Sequence, residues 1–540
     1  MSLNHLPSEI LYGIACLTGS DVKNLRLVNK LVNEVVESIM WDAHPIILDL
    51  NREHLAFGMS MLDDLGNLTG QKIRKLKIKS LDPTRKRRLY YPPGEPPSEP
   101  DDSEAVAEAC SRLPDVLPRA LSALKGLKSV RWELTGRELE RVYGTVLGSL
   151  GSLSSLVDFE IDHFEIDPVD DFDWANNVPN AALPLQHLRN GSLQRLAITL
   201  CSKPDAKQVV SSLAMVLIHN PHIIHLELDM LANSRQQNEL PFQDLFQNVP
   251  GDAVRLRSLL LRGWTIQVTP KVQPHLAALH SLELSARYAR HEALWKSLSS
   301  SPPRSISRVS CGRVCDGFLD FLQSVSALEV LELPYAGGDT LAESDRLAQR
   351  FYQDIFPRHS STLKKVNIFP SYTGMWTIGL HNVDTFDKCI RLTHLTVGLD
   401  PDEIRPGENE RDVVVGIFGG PSQCSVLTHY AYQASFISRV VRLPELYVLV
   451  LPPVVPKKFF GTRRGGGTLR FHATKNNIKR TQDSLENVVI YDAPRAHQSL
   501  SISTKWAIGT RGANFLPLYG NEGSLKFQRP DPQVEPEPGN

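Results

Sequence analysis

The sequence predicts an α/β solenoid, an irregular curved stack of strand-then-helix repeats with parallel strands, opened by three short helices. Three observations carry this. An apolar-x-x-apolar-x-apolar pattern recurs through most of the chain, amphipathic helical stretches lie between its copies, and the first 45 residues carry a helical period of their own.

The helical opening starts at Leu6-Pro7-Ser8-Glu9-Ile10-Leu11. Pro7 suits a first helical turn, where its missing N–H is not needed, and Glu9 places a negative charge where the helix dipole favours it. Leu6, Ile10, Leu11, Ile14 and Leu17 recur at three- and four-residue spacing as one apolar stripe. Gly19 can end this helix, and Ser20 or Asp21 can cap the next. The second segment carries Val22, Leu25, Leu27 and Val28; the third carries Leu31, Val32, Val35, Val36, Ile39 and Met40. Three helices this apolar cannot bury everything against one another in about 40 residues, so a partner or the downstream body must cover the remainder.

LPSEILYGIACL followed by DVKNLRLVNKLVNEVV resembles the F-box, at Leu6, Pro7, Glu9, Ile10, Leu11, Ile14, Leu25, Arg26, Val28 and Lys30. Many F-boxes have a Trp shortly after that Lys, where this chain has Leu31, Val32 and Asn33. Residues 41–50, WDAHPIILDL, are similar to the connection and first strand that follow fungal F-boxes. The resemblance implies binding to a Skp-type adaptor, and through it to a cullin, by Leu6, Pro7, Ile10, Leu11, Leu25 and Val28.

The repeated pattern begins at Leu193, Ile223, Leu256, Leu279, Ile306, Leu328, Leu363 and Leu392, a mean period of about 28 residues. Weaker copies begin at Ile73, Leu127 and Leu156 before this block, and at Leu427, Leu446 and Leu485 after it. The period sits at the long end of leucine-rich repeats. Single spacings run from 22 to 35 residues. The Asn or Cys common after such strands is mostly missing: Cys201 fills it once, while Trp264, Ala336 or Ser371 stand elsewhere. The last two apolar positions suit a strand with both side chains in the core. Residues 206–219, 317–325 and 345–356 repeat apolar side chains on one helical face. A non-repetitive α/β protein is the alternative, because the motif is loose.

These readings divide the chain into an F-box at 1–45, a repeat domain at 46–522 and a disordered tail at 523–540. Residues 82–104 combine charge runs with prolines and no apolar period, and read as a disordered insert. Arg85–Arg88 form either a solvated charge run or an anion-binding patch. Residues 456–470 are a basic glycine-containing loop without the GK[ST] ending of a phosphate cradle.

With 59 Lys and Arg against 60 Asp and Glu, the net charge of −1 argues against a general nucleic-acid or anionic-membrane binder. Seven scattered cysteines do not form a disulfide framework, and the N-terminus has no signal-peptide pattern. No apolar run reaches the roughly 20 residues of a membrane helix. The expected location is cytoplasmic or nuclear. No catalytic motif is present, and no cofactor or metal is expected: Cys311 and Cys315 lack a second ligand pair, and His222 and His225 fall on a predicted strand pointing to opposite faces.

The F-box resemblance implies substrate recognition in an SCF-type cullin-RING ubiquitin ligase, without chemistry of its own. Target contacts are expected from outward strand positions beside the motif leucines: Arg195, His225, Glu227, Ser258, Arg262, Glu283, Arg308, Glu332, Lys365 and His394. The alternative is a non-catalytic repeat scaffold whose F-box-like helices only cap the stack.

Overall fold

The computed structural model describes residues 45–65, 71–84, 103–134, 140–163, 183–200, 206–230, 240–251, 254–284, 291–370, 372–379 and 381–399, with isolated positions and short strands between 436 and 526. The helices expected in residues 1–44, with Leu6, Pro7, Ile10, Leu11, Leu25 and Val28, lie outside the described residues. The chain divides into two compact units, Met1–Ala277 and Ala278–Asn540.

The first unit contains strands β1 (Ile46–Asp49), β2 (Lys75–Ser80), β3 (Ser129–Leu134), β4 (Asp158–His163), β5 (Arg195–Leu200), β6 (His225–Met230), β7 (Leu240–Pro241), β8 (Ser258–Arg262) and β9 (Trp264–Thr265). All but β7 and β9 form one open parallel sheet in sequence order, and those two pair with each other. Its helices are α1 (Leu55–Leu65), α2 (Ser103–Ala123), α3 (Glu140–Gly151), α4 (Ala206–His219) and the single turn α5 (Gln273–Leu276). The register sets Leu76, Val130, Phe159, Leu196, Leu226 and Leu259 side by side. Two residues on, Ile78, Trp132, Ile161, Ile198, Leu228 and Leu261 do the same, and none of the twelve is more than 2% exposed. The copies at Ile73, Leu127 and Leu156 are thus as complete as the others; their weakness was one of spacing, not of packing.

The second unit contains β10 (Ser281–Leu284), β11 (Arg308–Cys311), β12 (Val330–Ala336), β13 (Lys365–Pro370), β14 (His394–Val397), β15 (Val448–Val450) and β16 (Ser501–Ser503), parallel in sequence order. The last strand, β17 (Ser524–Lys526), pairs antiparallel with β16, inside the tail expected to be disordered. Helices α6 (Glu292–Ser300), α7 (Asp316–Ser324) and α8 (Leu341–Arg350) alternate with the strands. Leu282, Val309, Leu331, Val366, Leu395 and Leu449 form the same buried ladder as in the first unit.

One backbone device sets this register. The Arg74 carbonyl accepts both the Lys128 and Ser129 N–H groups, at 2.8 and 3.0 Å. The carbonyls of Lys128, Val157, Gln194 and Ile224 each accept two consecutive N–H groups from the following strand in the same way. In the second unit His280, Ser307, Glu329 and Lys364 repeat it. A hydroxyl just before the motif leucine adds a third bond across the same seam: Ser155 donates to the Leu127 carbonyl, Ser192 to Leu156, Ser305 to Leu279 and Thr362 to Leu328. Each strand start thus has its first backbone N–H groups satisfied within the sheet.

Three local expectations change. The insert is narrower than 82–104, because α2 starts at Ser103 and Asp82 closes a tight turn by accepting from the Thr84 N–H and hydroxyl at 2.9 and 2.6 Å. His222 sits in the turn before β6 rather than on the strand with His225. Residues 345–356 are not one helix: α8 widens into a π turn at Phe351–Ile355 and ends in α9 (Phe356–His359). Pro357, which has no N–H to donate, falls at that break. The widening turns Phe351, Tyr352, Ile355 and Phe356 all inward, and the Tyr352 hydroxyl donates to the Trp376 carbonyl at 3.1 Å.

Two histidines of the second unit are held neutral by burial. His359 donates through Nε2 to the Leu322 carbonyl at 3.0 Å, yet burial keeps its pKa below the ordinary value. His291, at the N-terminus of α6, has φ of 43°, in the left-handed region, and burial lowers its pKa to about 4. Its neutral form carries stability that is complete above the unfolded value of 6.5 and is lost as pH falls toward 4. His291→Asn, which accepts left-handed backbone more readily, is expected to match or exceed wild-type stability at neutral pH by up to about 1 kcal/mol. It should also flatten the acid loss in urea-midpoint measurements; an unchanged pH slope would contradict this account.

Candidate interaction surface

Strand alternation leaves polar rows opposite the buried ladders. In the first unit Lys75, Ser129, Asp158, Arg195, His225 and Ser258 stand in register at the strand starts. Two residues on come Lys77, Arg131, Glu160, Ala197, Glu227 and Leu260, and then Glu133, Asp162, Thr199, Asp229 and Arg262. In the second unit Ser281, Arg308, Val330, Lys365 and His394 form one row. Glu283, Ser310, Glu332, Asn367 and Thr396 form the next. The ten expected contact positions therefore fall on two polar faces, five on each unit.

Register turns these rows into ion-pair lattices. Arg195 reaches Asp158 at 2.9 Å, Glu160 at 3.0 Å and Glu227 at 3.3 Å. Arg131 spans Glu160 at 3.4 Å and Asp162 at 2.5 Å, Lys77 holds Glu133 at 2.6 Å, and Arg262 holds Asp229 at 2.8 Å. In the second unit Glu332 sits between Arg308 at 3.3 Å and Lys365 at 2.7 Å. Of the expected residues, then, Arg195 and Glu227 meet each other, as do Arg308, Glu332 and Lys365.

Burial and neighbouring charge shift the titration of this face. Burial would lower the Arg195 pKa, but the hydrogen bonds it donates to Asp158 and Glu160 outweigh this and hold the guanidinium raised. Burial raises the Glu227 carboxyl against the pull of Arg195. Burial lowers His225, helped by the Arg195 and Arg257 charges, and lowers His394, helped by Lys365. Arg195, His225 and Glu227 are neighbours on the first unit's face, and His394 stands beside Lys365 on the second unit's. Among the described residues no group of three or more His, Cys, Asp or Glu is placed to hold a metal ion. Cys311, at the end of β11, is buried with its thiol directed to the Arg313 carbonyl at 3.0 Å, and burial pushes its pKa up. Among the described residues no helix is long and apolar enough to cross a membrane.

The carboxylates Glu133, Asp158, Glu160 and Asp162, and Arg131 between them, went unrecognised in the sequence because they belong to the weaker motif copies. The legible signal was the alternation itself: DFEIDH (158–163) places an acid at every second position.

Arg195→Met leaves Asp158, Glu160 and Glu227 facing one another without their shared cation. The variant should unfold about 1–2 kcal/mol more easily at neutral pH and low salt, with the difference shrinking at high salt and below pH 4.5, where carboxylates take up protons. A difference indifferent to both salt and pH would mean that packing, not charge, is lost. No family model matches the sequence, and no curated protein matches it, so function is argued from the surface itself.

Proposed function

We propose that the chain is the substrate-recognition subunit of an SCF-type cullin-RING ubiquitin ligase, built as a leucine-rich-repeat-like curved stack behind an F-box. The adaptor half of this reading rests on the F-box resemblance of residues 6–30, with Leu6, Pro7, Ile10, Leu11, Leu25 and Val28 meeting a Skp-type adaptor that links to a cullin. The target half rests on one observation above the others. Parallel strands hold polar rows in fixed register over rigid apolar ladders, a preorganised surface of the kind that binds an extended protein segment with little ordering cost. Outward residues including Arg195, His225, Glu227, Ser258 and Arg262 on one unit, and Glu283, Arg308, Glu332, Lys365 and His394 on the other, then face the target. The contribution to ubiquitin transfer is proximity, which raises the effective concentration of target beside the charged enzyme without bond chemistry in this chain. Cytoplasm or nucleus, where such ligases work, is the proposed location.

Co-purification of the full chain with a Skp-type adaptor tests the reading. Wild-type protein should retain adaptor, and Ile10→Glu with Leu11→Glu should abolish retention while the thermal midpoint stays within about 2 °C, the outcome this reading requires of side chains that meet the adaptor rather than pack the stack. A wild-type chain that leaves adaptor unbound where a known F-box binds would overturn the proposal in favour of a scaffold whose N-terminal helices only cap the stack.

A further inference from the structure

A net charge of −1 hides a strongly basic corner in the first unit. Residues 71–80, QKIRKLKIKS, and 125–132, KGLKSVRW, hold eight Lys and Arg between them and no Asp or Glu. The fold sets these distant segments side by side: Lys75 stands opposite Ser129 and Lys77 opposite Arg131, and the Arg74 carbonyl accepts the Lys128 N–H. Part of this charge has structural work. The Arg74 guanidinium donates to the Gln71 and Gly126 carbonyls at 3.2 and 2.9 Å, and Glu133 pairs with Lys77 at 2.6 Å and Arg131 at 3.9 Å. The nearest acid on β1, Asp49, accepts the Asn51 N–H at 3.3 Å. Among the described residues, the ammonium groups of Lys75, Lys79, Lys125 and Lys128 have no carboxylate partner.

We propose that this corner binds an acidic peptide segment of a partner protein, laid along β2. The claim rests on the proposed role of the polar face in partner binding, but not on adaptor binding. Lys75, Lys77 and Lys79 alternate along one strand, so their side chains recur at about 6.8 Å. An extended peptide with Glu or Asp at every second residue has the same repeat. Ile47, 43% exposed and directly opposite Lys77, offers an apolar contact beside the charges. A nucleic acid fits less well. The outward positions of β1, β2 and β3 carry no aromatic ring on which a base could stack, since Trp132 points into the core. Glu133 also stands among the cations, where a continuous phosphate backbone would meet it.

Fluorescence anisotropy of the full-length protein with a short labelled peptide, alternating Glu and Ser around one Leu, tests this. Binding should be strongest at low salt and weaken as salt is added. Lys75→Glu with Lys79→Glu should weaken it by about tenfold or more. Lys296→Glu, the same change on the exposed face of α6, should leave it unaltered. If charge reversal unfolds the unit, Lys75→Gln with Lys79→Gln supplies the comparison, with a smaller loss expected. Equal binding of the Glu peptide by wild type and by a folded double variant would overturn the proposal. So would an oligothymidylate of matched charge that binds as tightly as the peptide, or a peptide with Lys in place of Glu that does so. Peptide binding without adaptor binding would remove the ligase reading and leave this one; adaptor binding without peptide binding would remove this one alone.

Discussion

Every strand of a parallel stack takes its hydrogen-bonding neighbour from a distant part of the chain, so the arrangement depends on where each strand begins relative to the one before. The shared carbonyl settles this. When the Lys128 carbonyl takes the N–H groups of both Val157 and Asp158, β4 can start at only one place beside β3. Sliding by one residue would move Phe159 and Ile161 out of the ladders and put Asp158 and Glu160 in. The hydroxyls of Ser155 and Ser192 reinforce that choice from the preceding turns. The apolar ladders supply most of the stabilising area, at roughly 25 cal/mol per Å² buried, but they gain it only in the register the carbonyls allow.

The polar faces follow as a consequence. Once the inward side chains are aligned, outward side chains on adjacent strands lie about 5 Å apart at the backbone, close enough for Arg131 to reach two acids of β4 and for Arg195 to reach both of its neighbouring strands. Single exposed pairs of this sort are weak. Shared cations in a fixed lattice hold better, because no side chain must be ordered for one partner alone. The charge is also unevenly spread: β4 carries three acids on its outward side and β2 three lysines, so a chain balanced overall presents zones of opposite sign.

The period, the inward leucines and the outward positions could all be read from the sequence, because alternation along a strand needs no knowledge of its neighbours. Ion pairing could not. Which acid faces Arg195 depends on repeat lengths, and these vary too much for a one-dimensional pattern to align Asp158 with it. The Ser or Thr just before the motif leucine was legible in principle at Ser155, Ser192, Ser305 and Thr362, and it marks true copies better than the missing Asn or Cys. The π turn at Phe351–Ile355 was not, since an apolar run such as FYQDIF fits an unbroken helix equally well until Trp376 and Phe386 pack against it.

Because register is pinned at the strand starts alone, the rest of each repeat is free in length. Strands start at residues 129, 158, 195, 225 and 258 with no common interval, yet each meets its predecessor in the same way. Any two strand starts are interchangeable junctions. A segment running from one to the next can be duplicated or deleted as a cassette without disturbing hydrogen bonding on either side, whereas one residue gained or lost within a strand inverts the remainder of that strand. Such a chain can lengthen by whole repeats, and its outer loops can drift in size, while the cross-section of the stack stays constant.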